Sequence, residues 1–193
     1  MSTRDTILTR IKNNQPSYFP TAEPEVKAIS FQNPRLQFFS VLTAIGGIAV
    51  EINSKSEISE HIQTNFPTAK RIVNCVDDLH IEKNSTLGED PHLLEDVDVA
   101  IIPGMIGVAE NSAVWIDDKH IGDRALPFIT QHLILVIDKN NIVNNMPEAY
   151  DKLGRANYGF GTFIAGPSKT ADIEQSLVLG AHGAKSLTVF VVS

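Results

Sequence analysis

Three apolar runs constrain the fold of this chain more than any other feature. They are residues 97–102 (Val-Asp-Val-Ala-Ile-Ile), 132–137 (His-Leu-Ile-Leu-Val-Ile) and 187–192. Each has the length of a strand, is rich in β-branched side chains, and lacks the polar/apolar alternation of a strand with one wet face. A strand that is apolar on both faces must be covered on both faces. That condition is met by a parallel sheet sandwiched between helices.

The segments between the runs supply the covering elements. Residues 3–13 read as a helix with Ile7, Leu8 and Ile11 in a short stripe. Pro16, Pro20 and Pro24 then punctuate an irregular arm. Residues 35–44 are predicted helical, with Leu36, Phe39 and Leu42 facing inward and Gly46-Gly47 as the C-terminal cap. Residues 48–52 form a strand. Residues 56–65 form a helix N-capped by Ser56, with Ile58 and Ile62 inward. Residues 70–75 read as a strand, 77–92 as a polar loop, and 113–116 as a short strand before the turn Asp117-Asp118. Residues 147–155 read as a helix with Pro147 at its first position, 160–165 as a strand and 173–179 as a helix. The expected fold is α/β: a mostly parallel open sheet covered by helices on both faces. Residues 1–34 form an N-terminal helix and Pro-rich arm, and 35–193 form the α/β domain. Ligands of such sheets bind beyond the carboxyl ends of the strands. The loops after residues 102, 116, 137 and 165 are therefore the ones expected to carry function.

Composition excludes several classes. With a formal charge of −7 and no basic stripe, nucleic acid and anionic membrane surfaces are poor partners. The longest apolar stretch, residues 38–50, falls short of the ~20 residues of a membrane span and contains Gly46-Gly47. No signal-peptide pattern opens the sequence, and a cytoplasmic location is expected. Cys75 is the one cysteine and is expected to be a small buried hydrophobe. An iron–sulfur cluster needs about four thiolates, so none is expected here. The histidines are scattered without paired metal spacing, and no metal site is expected.

Residues 166–183, Gly-Pro-Ser-Lys-Thr-Ala-Asp-Ile-Glu-Gln-Ser-Leu-Val-Leu-Gly-Ala-His-Gly, form the densest motif. It follows a predicted strand, which places it at a carboxyl end. No second glycine precedes Lys169, so it is not a nucleotide P-loop. Asp172 and Glu174 enter the first turn of the predicted helix and oppose a phosphate there, while Ser168, Lys169 and Thr170 can reach an anion from the loop. The alternative is purely structural: Asp172 as N-cap with Gln175 reaching back, and His182 at the helix C-terminus. A second constellation runs from Gly104 to Ser112. There Glu110 is a candidate base, nucleophile or hydroxyl anchor, with Asn111 beside it, or else a residue of a polar turn. His132 opens a strand and is either a ligand-facing or a structural histidine. Candidate ligand-binding residues are Gly104, Glu110, Asn111, His132, Gly166, Ser168, Lys169, Thr170, Asp172, Glu174 and His182. Glu110 is the one catalytic candidate.

The 166–183 segment with the strand after it closely resembles the C-terminal signature of the LutC (lactate utilization protein C) family of LUD-domain proteins, whose pattern is roughly GPSRTADIE, a short helix, then GxHGP and a strand. A weaker match covers residues 98–137. The family carries an Ala-Glu-Thr-Gly-Thr box where this chain has Ala109-Glu110-Asn111-Ser112-Ala113, and Ala184 stands where the family often has proline. The resemblance implies a fold similar to the NagB/RpiA/CoA-transferase group and a role in oxidising L-lactate to pyruvate alongside iron–sulfur partner proteins. Three functions follow as expectations. The first is a non-redox accessory component that binds a small anionic ligand near Glu110, Lys169 and His182. The second is an isomerase- or transferase-like enzyme acting on a phosphosugar, CoA ester or folate through Glu110. The third is a structural partner of iron–sulfur proteins.

Overall fold

The computed structural model describes residues 2–16, 27–81, 90–154, 158–170, 178–180 and 182–193. Five strands form one wholly parallel sheet in the order β1 (Ile48–Ile52), β11 (Ser186–Val192), β6 (His132–Asp138), β3 (Val99–Pro103) and β2 (Ile72–Asn74). The three apolar runs are its three central strands, as their two-sided hydrophobicity requires. Side chains alternate between the faces. Leu133, Leu135, Ile137, Leu187, Val189 and Val191 enter one core, and Ile134, Val136 and Phe190 enter the other.

Helix α3 (Ser56–Asn65) closes the second core with Ile58 and Ile62, as the sequence predicts. Its cap differs from the expectation. Ser56 is already helical, and the Glu57 carboxylate reaches back to the backbone N–H groups of Asn53 and Ser54 instead. The supposedly polar loop after residue 76 also anchors this core, through buried Leu79 and Ile81.

The first core lies beneath α2 (Pro34–Ala44), the short α4 (Leu126–Ile129) and a second sheet whose assembly the sequence did not reveal. This is a four-stranded sheet in the order β7 (Ile142–Val143), β4 (Ile106–Val108), β5 (Val114–Asp117) and β8 (Gly161–Ile164). Strands β5 and β8 match the expected strands at 113–116 and 160–165, whereas β4 and β7, with three and two residues, are too short for periodicity to register. Helix α5 (Met146–Leu153) packs on the outer side of this sheet, against Ile106, Val108 and Trp115. It starts one residue before the expected Pro147, with Asn145 accepting the Glu148 N–H as N-cap.

The expected inner stripe of α2 is also corrected. Phe38 and Leu42 are fully buried, while Leu36 is 59% exposed. The buried pair is spaced i, i+4, the spacing that keeps two side chains on one helical face. Helix α1 (Thr3–Asn13) has a complete capping box between Ser2 and Asp5 and buries none of its residues.

Phe38→Ala should therefore cost about 3–5 kcal/mol, and Leu36→Ala about 0.5 kcal/mol or less, by urea unfolding. Equal effects would mean that α2 is rotated from this orientation.

Candidate functional site

Strand β8 is antiparallel to β5 and belongs to the small sheet, not to the parallel one. This overturns the expected place of the 166–183 motif. The segment after β8 returns to the amino-terminal edge of the parallel sheet. Ser168 N–H donates to the Ala184 carbonyl at 2.9 Å, and Lys185 N–H to the Gln131 carbonyl at 2.8 Å, just ahead of β11 and β6. A Cβ on Gly46, which precedes β1, would lie 3.8 Å from Lys169 Nζ.

The motif's local structure is corrected as well. Lys169–Thr170 (β9) pairs antiparallel with Val178–Leu179 (β10), so the last two residues of the predicted helix are a strand. Val and Leu suit an extended ribbon, and Gly180 takes a φ of +79° where the ribbon turns away. Asp172 and Glu174 lie outside the described residues.

Within this frame the structure forms a cleft of about 380 Å³. Leu133 and Leu187 form its floor and Phe128 and Phe163 line its walls. Gly166, Ser168, Lys169, His182 and Gly183 form the polar rim. Lys169 and His182 are both exposed. Gly166 has a φ of +72°, and a Cβ there would sit 3.1 Å from the Ile45 side chain, so only glycine lets the loop close onto α2. Among the described lining residues, Lys169 and His182 are the titratable ones, which makes the rim basic.

The other candidates lie elsewhere. Glu110 Oε1 accepts the Met146 N–H at 2.8 Å, at the start of α5, and Glu110 is not part of the cleft lining. A carboxylate there satisfies a free helix N–H and the helix dipole. Asn111 Oδ1 closes a turn by accepting the Ala113 N–H at 3.0 Å. Ser112 is fully buried with a φ of +55°, and its Oγ donates to the Phe38 carbonyl at 2.6 Å. This is the position at which the resembled box carries glycine. The left-handed backbone explains that glycine, and the hydroxyl–carbonyl bond is what serine adds in its place. Gly104 is a packing residue: a Cβ there would lie 2.4 Å from Ile137 and 2.5 Å from Val114, where the two sheets cross.

His132 faces the other side of the parallel sheet. Its ring lies 4.7 Å from the Phe66 ring, and its Nδ1 is 2.7 Å from Ser186 Oγ. Burial lowers its pKa, and the neighbouring Lys185 lowers it further against a partial pull upward from Asp98. Burial alone lowers that of His61, whose ring stands edge-on to Phe190. The Cys75 thiol is pushed up to about 11 by burial, and its Sγ lies 3.4 Å from the Ile121 carbonyl. It is a packing residue, as its sequence setting suggests, and a poor nucleophile near neutral pH. Among the described residues no group of His, Cys, Asp and Glu is placed to hold a metal, and no helix is long and apolar enough to cross a membrane.

The LUD domain family model matches residues 89–192, more than half of the chain. The chain belongs to the LUD domain family. Proteins similar to it include lactate utilization protein C of Oceanobacillus iheyensis, 30% identical over 121 residues, or 60% of this chain and 52% of that one. Lactate utilization protein C of Bacillus subtilis is 34% identical over 107 residues, covering 51% and 44%. The chain thus spans about half the length of the curated relatives it matches. A solved DUF162 family protein from Deinococcus radiodurans superposes with a TM-score of 0.64 at 18% identity, covering 86% of this chain and 99% of that one. It shares the fold. The family match includes both the cleft rim and the Glu110 turn. The apolar part of the site, Phe128, Leu133, Phe163 and Leu187, carried no signal in the sequence, because each reads as ordinary core.

Two outcomes follow. Glu110→Ala should cost about 1 kcal/mol through loss of the α5 cap, while Glu110→Gln, which keeps an acceptor oxygen, should melt close to wild type. His61 and His132 have folded pKa values below their ordinary 6.5, so the native state takes up fewer protons than the unfolded chain just below that pH. The melting temperature should be level between about pH 7 and 8 and fall as the pH drops from 6.5 through the lowered values. His132→Gln should make that fall shallower in thermal scans.

Proposed function

We propose that this chain is a non-redox component of lactate utilization that binds a small carboxylate in the cleft between β8 and β11. The observation that carries this reading is the convergence of Ser168, Lys169 and His182, all from the signature segment, on one rim above an apolar floor. The relatives named lactate utilization protein C support the process. The single cysteine leaves this chain without the about four thiolates of an electron-carrying cluster, so electrons from lactate would pass to iron–sulfur partner proteins. Lys169 supplies a point charge for the carboxylate, Ser168 a hydroxyl donor, and His182 a donor or acceptor for the substrate hydroxyl.

Glu110 is set aside as nucleophile or base because its Oε1 is engaged by the Met146 N–H and its position is outside the cleft. The isomerase or transferase reading rests on that residue.

The test is a thermal-shift titration with L-lactate and pyruvate. At about 100 Kd, binding should stabilise the fold by about 2.7 kcal/mol, a rise of a few degrees at this size. Lys169→Ala should abolish the rise and leave the unliganded melting temperature unchanged. A rise that survives this substitution would place the carboxylate site elsewhere.

A further inference from the structure

We infer that the ligand of this cleft is an aromatic or similarly bulky apolar monocarboxylate, larger than lactate. The inference rests on the reading above for the carboxylate contact at the rim and departs from it on the size of the acid that fills the cleft. Volume is the first reason. The cleft's volume of about 380 Å³ lies in the range of sites that take ligands larger than a three-carbon hydroxy acid. A ligand that small leaves the rest of the site wet, whereas ligand sites of this size bury most of a larger molecule's surface.

The second reason is the distribution of polarity. Leu133 and Leu187, each at most 2% exposed, bring the main core to the cleft floor. Phe128 lines the wall and is 44% exposed. Its ring is held edge-on against Phe160 at 6.4 Å, and Phe160 in turn carries the Arg124 guanidinium over its face at 5.8 Å. Phe128 is thus a braced ring with open surface toward the cleft. A methyl-sized substituent covers little of it, whereas an aromatic ring can pack against it edge-on or offset.

The third reason is charge. Among the described lining residues the titratable groups are Lys169 and His182, both on the rim. The rim takes one acidic end and the floor takes the apolar body.

Isothermal titration calorimetry with three probes tests this: 1-naphthoate, its neutral amide 1-naphthamide, and L-lactate. 1-Naphthoate should bind at least about tenfold more tightly than L-lactate. Lys169→Gln should weaken 1-naphthoate about tenfold and leave 1-naphthamide unchanged, while Lys169→Arg should retain the acid. Phe128→Ser, at an exposed position, should weaken both aromatic probes. If L-lactate binds as tightly as 1-naphthoate and Lys169→Gln weakens it, the small-carboxylate reading stands and this inference falls. If no acid binds at millimolar concentration, both fall. If 1-naphthoate binds but ignores Lys169 and Phe128, it occupies another surface and this inference is overturned.

Discussion

The pairing of β6 with β11 is the constraint on which the rest of the molecule depends. Seven residues of each strand stand in parallel register, from Ser186 opposite His132 to Val192 opposite Asp138. Their apolar side chains project to both faces, so two separate cores must be built and two covers supplied. Helix α3 suffices on one face. On the other, α2 and α4 leave a gap that the β4–β5–β7–β8 sheet fills, which makes the fold a stack of layers and not a simple sandwich of sheet and helices.

Close approach of the two sheets sets residue identity where they meet. Gly104 has no room for a side chain between Ile137 and Val114; within the small sheet, Gly161 has none against the Trp115 ring, 2.2 Å from where its Cβ would lie. The same crowding shapes the turn between β4 and β5. Glu110 fastens the turn to α5, Asn111 closes it, and Ser112 adopts a left-handed backbone while bonding to α2. Chemistry-bearing side chains in this turn thus serve as joints between layers. The serine at a position with positive φ keeps the geometry that a glycine adopts without strain, and adds a buried hydrogen bond.

The cleft lies where these layers end. Its floor is the amino edge of the central strand pair, its walls come from α4 and β8, and its rim is the loop that pairs Ser168 with Ala184. An apolar core that reaches the surface beneath a lysine and a histidine is a junction of low and high dielectric. There a charge at the rim is less screened by solvent than on an open surface.

The sequence by itself determined the parallel sheet, its three central strands and the helix α3, because two-sided apolar runs and an i, i+4 pair of isoleucines each allow one burial pattern. It also determined that Cys75 is a packing residue. It misjudged the inner face of α2, since Leu36, Phe38, Phe39 and Leu42 are all apolar and only the packed partner selects among them. Of the second sheet, β5 and β8 were legible as strands, while β4 and β7 were not, because two or three residues carry no periodicity. Tertiary structure alone decided that β8 joins that second sheet, from which the signature segment reaches the amino edge of the parallel one. The reason is physical: strand pairing is a contact between residues far apart in the chain, and local pattern fixes a strand's faces but not its neighbour or its direction.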